Sequence, residues 1–348
     1  MGPPVKPLLR ASPSLTVSKA VTVLGLLAGL GVVSLVASVA LGEYPLALGA
    51  ALRDPRSADG SVLFGLRLPR ALLGALVGAA LSASGSALQG LLRNPLADPF
   101  VLGVSGGAAL GATLAITLGF GVMGSFAGPS LFAFLGSLAA MALIFAAARG
   151  QGPRAPYAAL LTGVIFNAFA AAAITCVKTL SNPDKVGEIL NWLAGTLGYE
   201  RYRTLGLTAA LVGVSLTALF ASSSRLNLLT LGDDDATALG VPVAQTRRIV
   251  LLAASLAVAA VVALSGLVGF VGLIVPHVLR LWLGPDQRLL LPASALGGAA
   301  FLMVADLLTR MLFPVFHAEP PVGVVTAVLG GPLFLWLLNR RSRNAVAV

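Results

Sequence analysis

The stretch IVLLAASLAVAAVVALSGLVGFVGLIVPHVL, residues 249–279, carries no formal charge. A helix crosses the hydrocarbon core of a bilayer in roughly 20 residues, so the first question is whether this is one crossing or two. Gly266, Gly269, Gly272 and Pro276 are residues that weaken or stop a helix, and they favour two spans, 249–265 and 267–283. Residues 99–148 raise the same question: they too are uncharged, and GFGVMGSFAGPS at 119–130 divides them.

Working outward, the remaining apolar runs predict ten spans: 21–41, 71–92, 99–119, 124–148, 155–177, 204–224, 249–265, 267–283, 289–312 and 322–338. They are too long and continuous for barrel strands. Composition agrees: 57% of residues are hydrophobic, 10% are charged and mean hydropathy is +0.94. Such a chain is an integral membrane protein of the all-α class. The run 21–41 exceeds a signal-peptide core and is expected to be retained. The expected organisation is an N-terminal segment 1–20, a membrane domain 21–340 and a tail 341–348.

The net charge of +10 lies in short clusters between apolar runs. That pattern reflects membrane topology rather than nucleic-acid binding. With the N-terminus inside, fourteen Lys and Arg fall on the cytoplasmic side and nine outside, which predicts both termini in the cytoplasm. RNPLADP at 93–99 then becomes a tight inner corner, where Pro95 and Pro99 punctuate the helices, Asn94 and Asp98 cap backbone groups and Arg93 favours the inside. Gly74, Gly78, Ser82, Ser86 and Gly90 recur at every fourth position before it, and Gly103, Gly107 and Gly111 after it. Both ladders are read as surfaces for close helix packing.

Candidate polar sites are few. Residues 225–248 form the largest polar insertion on the inner side, with Asp233, Asp234 and Asp235 before an alanine-rich segment. They are either a solvated loop or a short helix with acids at its N-terminus. Arg67, Arg70 and Arg310 lie at outer span ends, against the positive-inside bias. They either anchor the interface by snorkelling or offer forks to carboxylates. Asp306 stands four residues before Arg310, a spacing that allows pairing. His277 suits a structural hydrogen bond, and His317 in an outer loop is a weak ligand signal. Cys176 is the single cysteine. No His, Cys, Asp and Glu set has metal-ligand spacing, and none of Lys6, Lys19, Lys178 and Lys185 sits in a phosphate-binding G-x-x-x-x-G-K-[ST] loop. Neither a metal nor a cofactor is expected, and any ATPase must be another chain.

Four stretches carry a family resemblance: RLPRALLGALVGAALSASGSALQGLLRNPLADPFVLGVSGGAALGA (67–112), LNLLTLGDDDATALGVPV (226–243), SGLVGFVGLIVPHVLRLWLGPDQR (265–288) and EPPVGVVTAVLGGPLFLWLL (319–338). In this order they resemble the FecCD-type permeases, the membrane subunits of binding-protein-dependent ABC importers for iron chelates, haem and vitamin B12. Pro320 departs from the leucine usual after the glutamate.

The resemblance implies a ten-helix, BtuC-like (type II importer) fold in a bacterial inner membrane. It implies a homodimer, two ATPase subunits and a periplasmic substrate-binding protein as partners, with no nucleic acid. Residues 225–248 correspond to the coupling loop, with Leu231, Gly232, Asp233, Ala238, Leu239 and Gly240 at the ATPase contact. Arg67, Arg70, Arg310 and Glu319 become candidates for docking the binding protein. The fifth span corresponds to the pathway wall: Pro156, Tyr157, Leu160, Leu161, Val164, Asn167 and Ala168, with residues 154–157 near the inner gate. Asn167 has a second reading as a hydrogen bond between helices.

The expected cargo is a ferric siderophore or haem, with cobalamin as the alternative. A secondary transporter would need ionisable groups at mid-membrane, and Asp306, the carboxylate deepest in a span, lies near one end. A non-transporting scaffold is the third class, against which the coupling-loop match argues.

Overall fold

The structure is a computed structural model that describes residues 17–42, 45–120, 127–151 and 155–346. Helix α1 (Val17–Ala40) passes along the edge of the bundle with half of its residues exposed and only Ser34 and Ser38 buried. Two short helices, α2 (Leu48–Arg53) and α3 (Ala58–Val62), follow at its far end. The Ser57 hydroxyl caps α3 by accepting from the Gly60 N–H. A π-helical turn over Leu63–Arg67 then feeds into α4 (Leu68–Leu91).

The RNPLADP corner follows. Asn94 Oδ1 accepts from the Leu96 N–H over 2.9 Å, and Asp98 Oδ1 accepts from the Phe100 N–H over 2.8 Å. Burial pushes the Asp98 carboxyl above its usual range, opposed by that Phe100 N–H. A 3₁₀ turn, Pro99–Leu102, ends at Gly103 with φ 78°, a left-handed conformation that favours glycine.

Beyond it lie α5 (Val104–Thr117), α6 (Ala127–Ala148), α7 (Ala155–Leu180), α8 (Pro183–Ala194) and α9 (Tyr202–Ala221). The polar insertion folds into α10 (Ser223–Leu229) and α11 (Asp233–Ala238). The chain finishes with α12 (Val243–Ser265), α13 (Val271–Leu283), α14 (Gln287–Met311), α15 (Phe313–Phe316) and α16 (Val322–Val346).

Seven of the ten expected spans are helices long and apolar enough to cross a membrane, and three are shorter: α5, α13 and the Val322–Phe334 part of α16. At 1.5 Å per residue, the 14 residues of α5 and 13 of α13 reach about 20 Å, against a hydrocarbon core of about 30 Å. The expected spans 99–119 and 267–283 were too long because each begins in non-helical backbone. In the opening stretch the break is at Gly266 (φ 64°) and Phe270 (φ 69°). Pro276 stays inside α13. A non-glycine residue at positive φ is uncommon, and Phe270 turns the chain into the N-terminus of α13.

The core centres on α4, which packs against α14, α12, α13 and α9. The small-residue ladder makes this possible. A Cβ on Gly78 would collide with the Gly298 carbonyl of α14, and a Cβ on Gly298 with the Gly78 carbonyl. Ser86 Oγ donates to Gln287 Oε1 about two turns further along α4. The second ladder works in the same way, with Gly107 against Gly136 and Gly111 against Phe132 of α6. Backbone contact at this distance gains packing energy without a hydrophobic drive, as lipid requires. Helix α7 is peripheral, touching α5, α6 and α8 and leaving the rest of its surface exposed.

Candidate functional site

One end of the bundle carries the RNPLADP corner, α10 and α11, and the opposite end carries α2, α3, α8 and α15. At the opposite end the structure gathers Arg67, Arg70, Arg310 and Glu319. Arg70 Nη2 lies 2.9 Å from Asp306 Oδ1 and 2.7 Å from Glu319 Oε2. Its guanidinium also sits 5.7 Å from the centre of the Tyr199 ring, a cation–π distance. Arg310 Nε reaches Asp306 Oδ2 at 3.1 Å, so the spacing of four does produce a pair.

The last carbonyls of α1, which have no partner within their own helix, accept from the arginines. Arg310 Nη1 donates to Ser38 O over 2.9 Å, and Arg67 Nη1 donates to Ala40 O over 3.0 Å. The negative end of the α1 dipole favours these cations.

These contacts correct one part of the sequence reading. Arg67, Arg70 and Arg310 were expected at outer span ends, either snorkelling or offering open forks. All three are instead buried, at 7%, 6% and 5% exposure. Burial in a low-dielectric interior requires each charge to find partners, and Asp306 and the α1 carbonyls provide them. The Glu319 side chain, 30% exposed, is the accessible member. Tyr199 was missed; the polar aromatic run GYERYR at 198–203 is the signal that marks it.

At the corner end, the insertion is a pair of short helices rather than a solvated loop. Leu231 and Leu239 are 60% and 59% exposed. Ala238 and Gly240 are exposed beside them, and Ala236 is buried. Gly232 (φ 137°) and Gly240 (φ 82°) bound α11.

Asp233 opens the helix, and its Oδ1 accepts from Arg93 Nη2 over 2.7 Å and from Arg247 Nη2 over 2.8 Å. Arg93 Nε also donates to Leu229 O over 2.8 Å. Asn227 fixes α10 to the start of α14, donating to Asp286 Oδ1 over 2.7 Å and accepting from the Gln287 N–H over 2.8 Å. Hydrogen bonds from Arg288, and then from Asn227, hold the Asp286 carboxyl down to about 2. Asn227 and Arg247 lie within the 225–248 insertion but were not singled out there, and Asp286 was not foreseen, because its partner Asn227 is 59 positions away.

Along α7, Tyr157, Leu161 and Val164 are 67%, 62% and 47% exposed. Ala168 is exposed and Leu160 half-buried. The Pro156 side chain and Arg154 lie outside the described residues. Asn167 Nδ2 donates to Phe100 O, in the 3₁₀ turn before α5, over 2.9 Å. The cleft beside it, between α5, α7 and α8, has a volume of about 390 Å³. It is lined further along the helix than expected, by Ala170, Ala171, Ile174, Thr175 and Lys178.

His277 is buried with its ring edge toward Phe334 at 6.0 Å. His317 is exposed at the end of α15. Among the described residues no group of three or more His, Cys, Asp and Glu could hold a metal.

Comparison with known proteins places this geometry. The model of the FecCD transport family matches residues 29–340. The chain is 41% identical over 213 residues to the hemin transport system permease protein of Yersinia pestis, covering 61% of this chain and 63% of that protein. It is 42% identical over 214 residues to the cobalamin import system permease protein of Halobacterium salinarum, covering 62% and 57%. With the Fe(3+) dicitrate transport system permease protein of Escherichia coli it shares 40% over 210 residues, covering 60% and 64%. Each alignment spans less than two thirds of the curated relative. A solved protein assigned as a metal-chelate type ABC transporter, in an inward-facing conformation, superposes with a TM-score of 0.80 at 33% identity, covering 92% of this chain and 99% of that one.

Proposed function

The chain belongs to the FecCD transport family, and from this premise we propose that it is the membrane-embedded permease subunit of a binding-protein-dependent ABC importer. It catalyses no reaction itself. Two copies pair around the pathway, two separate ATPase subunits dock at the corner end, and a periplasmic binding protein delivers cargo at the opposite end. The ten apolar helices cross the inner membrane with both termini in the cytoplasm, the short α5 and α13 being completed by the turns that precede them. The cargo is an iron chelate, a ferric siderophore or haem.

One observation carries the proposal: α11 is a short helix flanked by the exposed Leu231 and Leu239 and tied at its first residue to the corner between α4 and α5 and to α12. A small apolar surface fixed to three membrane helices suits transmission of a partner's movement. Closing and opening of the ATPases would push α11, and Asp233 would pass the displacement to Arg93 and Arg247.

At the opposite end, acidic groups of the binding protein would displace Glu319 from Arg70 and reach the arginines beneath it. Their excess of positive charge, three arginines against Asp306 and Glu319, suits such a partner.

The test is ATP-dependent uptake of haem, ferric dicitrate or cobalamin by proteoliposomes containing this chain, its ATPase and its binding protein. Charge reversal of Arg67, Arg70 and Arg310 is expected to abolish stimulation by the binding protein. Unchanged stimulation would remove the docking assignment, and uptake driven by an ion gradient without the ATPase would remove the importer reading.

A further inference from the structure

We infer that the cleft between α5, α7 and α8 is a subsite for the negatively charged arm of a metal chelate, with Lys178 as its recognition group; this rests on the importer reading above. The cleft is lined by Ser105, Asn167, Thr175 and Lys178 among apolar side chains. Three of these polar groups donate inside the protein. Ser105 Oγ and Asn167 Nδ2 donate to Phe100 O over 3.1 and 2.9 Å, and Thr175 Oγ1 donates to Ala171 O over 2.8 Å.

Lys178 is different. It is half-buried in the last turn of α7 and, among the described residues, has no hydrogen bond or ion pair, whereas the buried Arg67, Arg70 and Arg310 of that end all do. Lys185 on α8 pairs with Glu188 at 3.7 Å.

A lysine at a span end that only anchored the helix would extend its ammonium toward the lipid headgroups. Lys178 lines the cleft instead, next to the exposed wall of α7. A cation beside apolar surface carries a desolvation cost that an incoming anion offsets.

The chemistry of the side chain narrows the ligand. A lysine ammonium is a compact point charge with no fixed fork, so it accepts carboxylate, propionate or phenolate oxygens in varied orientations. At about 390 Å³ the cleft takes one arm of a chelate rather than the whole. A single flexible charge also binds weakly enough to release, as a conducting pathway demands. An uncharged corrinoid gains nothing from it, so the inference assigns an anionic chelate rather than cobalamin.

The experiment uses the full complex in proteoliposomes with haem and ferric dicitrate as anionic probes and cyanocobalamin as the uncharged one. Lys178→Met is expected to lower uptake of the anionic probe that the wild type carries by about tenfold. Lys178→Arg should restore most of it, and in Lys178→Met uptake should fall by more than hydrolysis by the loaded complex. Wild-type uptake by Lys178→Met, an equal fall in uptake and hydrolysis, failure of Lys178→Arg to rescue, or a wild type that carries only cobalamin would each overturn the inference and leave the importer reading standing. If Lys178→Met does not assemble, Lys178→Gln against Lys178→Arg gives the same contrast. Absence of ATP-dependent uptake of all three probes by the wild type would instead defeat the importer reading, and the inference with it.

Discussion

Arg93, in the corner between α4 and α5, donates to Asp233 at the start of α11 over 2.7 Å, joining residues that are 140 positions apart. The same carboxylate oxygen accepts from Arg247 of α12. The corner is therefore a clamp on the exposed short helix as well as a turn.

A partly exposed ion pair of this kind contributes at most about 1 kcal/mol to stability, so its effect should be on position. Asp233→Ala is expected to lower cargo imported per ATP hydrolysed several-fold, with the thermal midpoint moving by less than about 4 °C. Parallel measurement of uptake, hydrolysis and melting checks this; loss of melting temperature with intact coupling would reverse the assignment.

Asp306 should behave in the opposite way. It is 1% exposed and pairs with both Arg70 and Arg310, so Asp306→Ala leaves the buried Arg310 without a carboxylate partner and Arg70 with Glu319 alone. The expected cost is about 3–5 kcal/mol. It should be visible as a large fall in the unfolding midpoint of detergent-solubilised protein.

Close helix approach gives a sharper steric contrast. Gly78→Ala and Gly298→Ala each drive a methyl group into the backbone of the facing helix, which neither α4 nor α14 can yield without separating. Both should reduce the folded yield severely. Gly213→Ala meets nothing within 4 Å and, in a helix interior, should be neutral or stabilising by about 0.5–1 kcal/mol. Fluorescence-detected gel filtration of the three variants checks the order.

The Asp286 carboxyl is held down to about 2 chiefly by Arg288. A carboxyl whose folded pKa is depressed stabilises the folded state above its unfolded value, about 3.9, and loses that contribution as pH falls through the folded value. The melting difference between wild type and Asp286→Asn should therefore be full above about pH 4 and vanish toward pH 2. A constant difference across that window would exclude Asp286 as its source.

Several features were legible without coordinates because their causes are local. Apolar runs and their interruptions located the seven helices long enough to cross a membrane, since in lipid the backbone must satisfy its hydrogen bonds within the protein. Asn94 and Asp98 cap within two residues of themselves, and the small-residue ladder marked the face of α4 that α14 covers. The starting points of α5 and α13 were less legible, because left-handed backbone at Gly103 and Phe270 leaves no mark in hydrophobicity.

The sequence by itself thus determined that this chain is a bundle of membrane helices with a polar insertion between α9 and α12, and its motifs pointed to the family. Only the tertiary structure decided what the charges do: that Arg67, Arg70 and Arg310 turn inward, that Asp233 belongs to the corner, and that Lys178 faces a cleft. The reason is geometric. A helix or a cap depends on neighbours a few positions away, whereas a charged side chain is assigned by whichever distant residue packing brings within about 3 Å of it.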